Sequence, residues 1–579
     1  MNVLDERKKN RRKVIRVILQ VIILFVAVIF FGNKIFNFKH YKAPPTTAYA
    51  NDESFIALTY FGVGRIASPK LVSREMLDKQ LGILHKAGYT TISQDDVINF
   101  YNKDAALPDK ALFLSFEDGR NDSALFSQPL LEKYNYKASM LTYGNRLGDG
   151  DNKFLQPKEL KSMEKTGYFE MGSNGYRLSY INVVTDDQRY LGEKEEKELP
   201  NKVAIEYYNH YLMDFERDKN MIPKETAEQM EKRITKDYSE LKKVYTKELE
   251  EVPKLYMIMH ANTMYNTMNE LVEQVNDKQI KSLFSLHFNR EGSARNTKED
   301  EPYNLTRLQI NPGWSMNQFI MRVNESVAQP IPYEFGDKGH KQQWRFKNGV
   351  AQFEGNRIIL TSLPDKKAKM TMKQEQPQDI KVTATLKGKV MGEQSVYLRQ
   401  NAKTNSYLRV SLKNNYLRIY EKQAKGTEQK LVEEKLNKVE WKGEDYAFSK
   451  ARTYSQFETL QGSTVDKDEY PVGIDGNRKL TIELKGKAIS VIVDDLKPVT
   501  ATVDSLQRGT VALGAAPYIK KTAKETHNER LIYDAIFDDV TITEADNTLY
   551  TMKYSGIEKV TQRVRKGWGD AVTKTMELF

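Results

Sequence analysis

The residues best suited to chemistry lie in the stretch 112–122, LFLSFEDGRND. An apolar run ends there on two adjacent acids, Glu117 and Asp118, followed by Gly119. Paired carboxylates at a strand tip suit a general base beside a metal ligand: one takes a proton from water while the other holds the cation that acidifies it. They equally suit the polar end of a strand, with glycine opening a turn. Other candidate ligands are few. His260 sits in the apolar run KLYMIMHAN and His287 in FSLHFN; each also reads as a buried, hydrogen-bonded structural histidine. The chain has no cysteine, which excludes disulfides, thiolate catalysis and cysteine-type zinc sites.

Presenting such a pair takes buried strands that end at a common rim, and the surrounding pattern supplies them. Between residues 54 and about 320, apolar runs of strand length at 55–60, 90–92, 111–116, 138–142 and 168–172 alternate with helical stretches. Among the helices, 73–76 opens with a serine N-cap ahead of the stripe Leu77, Leu81 and Leu84, and 157–165 begins with proline. A longer charged helix, 225–251, carries Ala227, Met230, Ile234, Tyr238, Leu241 and Tyr245 on one face. Strands separated by helices predict parallel pairing, in a barrel or an open sheet. Beyond about residue 330 the period changes to two. The runs 382–386, 407–412, 416–420, 480–484 and 489–493 alternate without helices between them and predict a β-sandwich.

A chain of 579 residues exceeds what one core supports, so several domains are expected. The formal net charge of +11 is concentrated near the ends and comes with no nucleic-acid motif. Residues 7–13 are basic apart from Asn10 and precede an apolar run at 14–36. This pattern predicts a single-pass membrane anchor with a cytoplasmic N-terminus and the bulk of the chain extracellular. A last segment, 551–579, places Ile557, Val560, Val564, Trp568, Val572, Met576 and Phe579 on one helical face.

The stretch 112–122 resembles the first motif of the polysaccharide deacetylases, the NodB-like carbohydrate esterases, usually written T-F-D-D-G. Ser115, Phe116, Glu117, Asp118 and Gly119 follow it in order. The resemblance continues at Arg233-Ile234 with Asp237-Tyr238, at 254–260 in place of a Y-P-Y-G strand, and at 303–308 in place of Y-x-L-x-R. It implies a distorted (β/α) barrel, with Glu117 at the base position and Asp118 at a metal-ligand position. The second metal motif, G-S-H-x-x-x-H, reads MGSNGYRLSY here. Asn174 and Leu178 stand where the family has histidines, leaving Asp118 as the only retained ligand position, too few for a catalytic zinc site. The sandwich resembles the concanavalin-like jelly rolls of extracellular carbohydrate-active enzymes, through 395–422, 480–495 and 531–543. Tyr397, Tyr407 and Tyr416 are then candidates to stack on sugar rings, or equally core residues, and Asp538 and Asp539 candidates for calcium.

The expected organisation is a cytoplasmic basic segment (1–13), a transmembrane anchor (14–36), a linker (37–53), a polysaccharide-deacetylase-like α/β domain (54–328), an all-β jelly roll (335–550) and an amphipathic segment (551–579). The expected function is a catalytically inactive protein that binds or guides an exopolysaccharide or cell-wall glycan through Glu117, Asp118, Asn174 and Tyr176, without a cofactor or nucleic acid. Alternatives are an active deacetylase or other glycan hydrolase with an atypical zinc or divalent-metal site, and a scaffold that binds polysaccharide synthesis or export proteins.

Overall fold

The computed structural model describes residues 40–554 apart from 46–48, 52, 186, 200–204, 259–263, 266–267, 441–473, 505–506 and 519–530, together with residues 17, 18, 20 and 21. Seven strands close a parallel barrel: β1 (Ser54–Tyr60), β2 (Ala111–Phe116), β3 (Ala138–Tyr143), β4 (Phe169–Gly175), β5 (Leu255–Met257), β6 (Leu286–Glu291) and β7 (Leu305–Ile310). Each pairs in parallel with the next, and β1 pairs with both β7 and β2, which completes the ring.

The strands are nearly continuous in apolar residues because both of their faces are covered. Phe55, Ala57, Phe113, Leu141, Leu255, Met257, Leu286, Phe288 and Leu305 fill the lower lumen, with Phe113 and Phe288 stacked at 4.9 Å. Their neighbours on the outer face, such as Leu58, Leu114 and Met140, pack beneath the helices. Those helices start where the sequence predicts. Ser73 caps Arg74–Lys86 by accepting from the Met76 amide, and Thr226 closes a capping box on Ala227–Leu249. Between β4 and that long helix lies a three-stranded antiparallel sheet, Ser179–Thr185, Tyr190–Glu195 and Ile205–His210, which the sequence reading does not anticipate.

The second half is a sandwich of two antiparallel sheets around its own core. One sheet runs, in spatial order, Trp344–Lys347, Ala368–Met372, Thr510–Ala516, Glu393–Asn401, Ser406–Lys413, Tyr416–Lys422 and Glu428–Lys435. The hairpin at Asn414-Asn415 has φ of 46° and 59°, the left-handed pair that a two-residue turn requires and asparagine tolerates. Ser315 joins the halves. It caps the helix Met316–Asn324, and its amide and hydroxyl donate to Asp534 of the sandwich at 3.0 and 2.7 Å.

The expected membrane anchor is corrected. Among the described residues no helix is long and apolar enough to cross a membrane. Most of 14–36 lies outside the described residues, and the four that are described, Val17, Ile18, Gln20 and Val21, are exposed. The sequence carries the physical reason. Arg16, Gln20 and Gly32-Asn33-Lys34 interrupt the run, and the stretch free of polar side chains, 21–31, falls short of the roughly 20 apolar residues a span needs. Among the described residues the fold class is therefore α/β plus all-β with no membrane-spanning helix, and the expected single-pass, N-terminus-in topology finds no helix there to support it. The amphipathic face expected at 551–579 lies outside the described residues from 555 onward.

Candidate functional site at the barrel mouth

The strand β2 ends where the carboxylates begin because the chain must turn over the rim. Asp118 and Gly119 both adopt left-handed backbone, with φ of 68° and 60°. Gly119 is required: a Cβ there would come within 2.7 Å of Thr142 Cγ2. The turn leads into the helix Asn121–Tyr134.

Glu117 is the first residue past the strand and points into the lumen. It is fully buried, and both of its oxygens are engaged. Oε1 accepts from Thr59 Oγ1 and Arg307 Nε, both at 3.3 Å, and Oε2 accepts from Gln309 Nε2 at 3.1 Å. Arg307, 1% exposed, spends its other donors on the carbonyls of Ile258 (2.7 Å), Phe288 (3.0 Å) and Arg290 (3.3 Å) and on Glu291 (2.6 Å). Burial pulls the guanidinium below the usual arginine value, and Glu117 opposes that pull. A buried ion pair with its remaining donors satisfied is the form in which two charges persist inside a protein. The top of the lumen is thus closed by a charge network spanning β1, β2, β6 and β7.

Asn174 is equally committed. It is fully buried; its Oδ1 accepts from the Asp118 amide at 3.1 Å, and its Nδ2 donates to the Met257 carbonyl at 2.8 Å. The side chain ties the tips of β2, β4 and β5 together. Tyr176 and Asp118 are half-buried, and Tyr176 packs on the main core. Leu178 joins a different cluster, with Tyr180, Val183, Leu199, Ile205 and Tyr208. Between them Arg177 pairs with Asp237 of the long helix at 3.1 Å and lies 4.1 Å over the Tyr211 ring. The segment occupying the second metal motif is therefore anchored sideways into the inserted sheet and helix.

Of the four residues expected to meet sugar, Glu117 and Asn174 offer no free polar atom in this arrangement, whereas Asp118 and Tyr176 reach the surface in part. The donor set does not fit a divalent metal. Asp118 is one carboxylate, the Asn174 amide oxygen already accepts a backbone N–H, and Leu178 is apolar and packed elsewhere. Among the described residues no group of three or more His, Asp or Glu side chains is placed to hold an ion.

His260 lies outside the described residues. His287 sits on the outer face of β6, against the Tyr256 ring at 5.0 Å, while its neighbours Leu286 and Phe288 face the lumen. It is fully buried. Burial, with Arg307 adding repulsion, lowers its pKa to about 3. The folded state then binds fewer protons than the unfolded chain between pH 3 and 6.5, so this histidine makes stability fall as pH drops through that window. Each unit below 6.5 costs up to about 1.4 kcal/mol. His287→Phe should flatten the slope of the urea midpoint against pH between 7 and 5; an unchanged slope would contradict a buried neutral imidazole.

Asp538, a candidate for calcium, is committed to two cations of the protein itself. Its carboxylate pairs with Arg357 at 2.9 Å and Lys387 at 2.7 Å, which already supply the compensating positive charge, and Asp539 accepts from Asn356. Sequence reading named Arg307 only as part of a motif and missed its role. The available signal was the alternation Leu305, Arg307, Gln309, which points a charge into a lumen that must also hold its partner.

No family model matches the chain. One curated protein, "Putative polysaccharide deacetylase YxkH" of Bacillus subtilis (strain 168), is 25% identical over 128 residues, 22% of this chain and 45% of its own length. The match thus spans less than half of that relative. Among solved structures, a de-N-acetylase from Aggregatibacter actinomycetemcomitans aligns over 46% of this chain and 98% of its own, with TM-score 0.36 and 18% identity. The carbohydrate-binding module CBM66 from Bacillus subtilis aligns over 35% of this chain and 96% of its own, with TM-score 0.23 and 12% identity. By the likeness to the curated relative the chain is polysaccharide-deacetylase-like over part of its length.

Proposed function

We propose that this chain is a non-catalytic glycan-binding protein, built on a deacetylase-like barrel and engaging an exopolysaccharide or cell-wall glycan. The observation that carries the reading is the state of Glu117. A general base must reach the proton it abstracts, and this carboxylate is fully buried with both oxygens engaged by Thr59, Arg307 and Gln309. The departures at Asn174 and Leu178 point the same way, since without a metal the attacking water is not activated and the oxyanion is not stabilised. The likeness to a protein named as a polysaccharide deacetylase supports a glycan as the ligand class.

Binding and turnover separate cleanly in one experiment. The purified full-length chain, passed over an immobilised acetylated polysaccharide and over the same polymer after chemical deacetylation, should be retained by at least one form and release no acetate. Passage through both without retardation would refute the reading, and so would acetate release.

A further inference from the structure

The seven-stranded sheet of the sandwich turns Val396, Leu398, Leu408, Val410, Leu417 and Ile419 into the core. Alternation sends Tyr397, Tyr407, Arg409 and Tyr420 to the opposite face. Tyr397, Tyr407 and Tyr416 belong to no core cluster, which leaves them on that outer surface. Register places small residues at its centre: Gly514 lies opposite Ser395, Ser395 opposite Ser411, and Ala512 opposite Tyr397. The Tyr397 ring leans over this floor, so that a Cβ on Gly514 would come within 3.0 Å of it. Tyr397 and Tyr407 meet edge to face at 5.2 Å.

The charges on this face are unevenly matched. Arg409, 8% exposed, pairs with Glu393 and Glu428 and lies 4.1 Å over the Tyr420 ring, and Glu433 pairs with Arg418. Arg409 carries one charge against two of these carboxylates, and Lys422 stands directly opposite the second, Glu428, in the ladder. Lys347 and Lys369 face no acid across their ladders. Lys347 stands directly opposite Lys369 in the ladder. Lys369 and Lys422 hold their ammonium groups 5.0 and 6.0 Å from the Tyr397 and Tyr407 ring centroids. None of the three lysines forms an ion pair among the described residues. Like charges facing each other across a ladder are destabilising, and Lys369 is pulled below the usual lysine value by burial and by Lys347 and Lys422. Cations held in this way, beside aromatic rings and hydroxyls over a floor of small residues, complement an anion carried on a sugar chain.

We infer that this face binds an anionic glycan, with pyranose rings against Tyr397 and Tyr407 and carboxylates at Lys347, Lys369 and Lys422. The inference rests on the glycan-binding reading above and narrows it to uronate-bearing polymers. The ammonium groups of Lys369 and Lys422 flank the touching Tyr397 and Tyr407 rings, a span that suits a short run of sugar units.

The test uses the full-length chain and three probes of similar length: an oligogalacturonate, a neutral gluco-oligosaccharide and a polyphosphate. The oligogalacturonate should bind most tightly. Its Kd should rise about tenfold or more in the Lys369→Ala/Lys422→Ala variant, and likewise when ionic strength rises from about 0.1 M to about 1 M, which cuts the Debye length from about 10 Å to about 3 Å. Lys381→Ala, on the other sheet and paired with Glu483, should change nothing. Lys369→Ala should also raise the thermal midpoint of the free protein, because it removes the facing like charge. Equal binding of the neutral probe, or indifference of the oligogalacturonate to the lysine variant, would overturn the anionic assignment and leave glycan binding intact. Preference for polyphosphate would overturn it in favour of another polyanion. Failure to retain any of the three carbohydrates, the acetylated polysaccharide included, would sink both.

Discussion

Arg307→Ala should cost about 3–5 kcal/mol of stability, the usual penalty for stripping one partner from a buried ion pair. The guanidinium donates to Glu117, Glu291 and three backbone carbonyls, so alanine abandons a fully buried carboxylate and the carbonyls of Ile258, Phe288 and Arg290 together. Glu117→Gln should be milder, because glutamine keeps the shape and can still accept from Thr59 and Arg307. The informative variant combines Arg307→Ala with Glu117→Gln. Removing both charges should recover about 1–3 kcal/mol relative to the sum of the single changes, since neither is then left unpaired. Denaturant unfolding of the full chain measures all of these. Additive losses would mean that Glu117 and Arg307 are not energetically coupled.

The double change Asn174→His/Leu178→His restores the family motif in sequence, yet it should fail to restore metal binding and should destabilise the barrel. Asn174 fills a fully buried position and bridges the Asp118 amide to the Met257 carbonyl. An imidazole cannot reproduce both bonds in that space, and a buried donor or acceptor left unmade costs about 1–3 kcal/mol. Leu178 packs with Tyr180 and Val183, so an imidazole there lies in the apolar cluster of the inserted sheet. Calorimetric titration with zinc, cobalt and nickel should show no stoichiometric site in the double variant. A tight 1:1 site would show that Asp118, Asn174 and Leu178 do converge.

Local pattern reveals much of this fold, and long-range partnership reveals little of its site. The strands 111–116 and 138–143, the helix Pro157–Lys165 and the hairpins of the sandwich follow from apolar period, proline at a helix start and asparagine at a turn. Loss of the histidine ligands is likewise written at Asn174 and Leu178. The partner of Glu117 is not, because Arg307 lies 190 residues away and only closure of the barrel brings the two together. The inserted sheet escaped notice because its buried positions include Asn182, Asn209 and His210, polar residues that blur the apolar alternation. At the N-terminus the apolar run 14–36 predicts a membrane span only if its polar interruptions are discounted, and among the described residues no helix is long and apolar enough to cross a membrane.

The central claim is that the Glu117 carboxylate locks the barrel and does no chemistry. Its most direct test is acetate release from an acetylated polysaccharide by the full-length chain, with zinc, cobalt or nickel supplied, beside the Glu117→Gln variant. The buried pair with Arg307 predicts no acetate above the metal-only blank from either protein. Metal-dependent release by the unaltered chain that disappears in Glu117→Gln would contradict it and restore this carboxylate as a catalytic base.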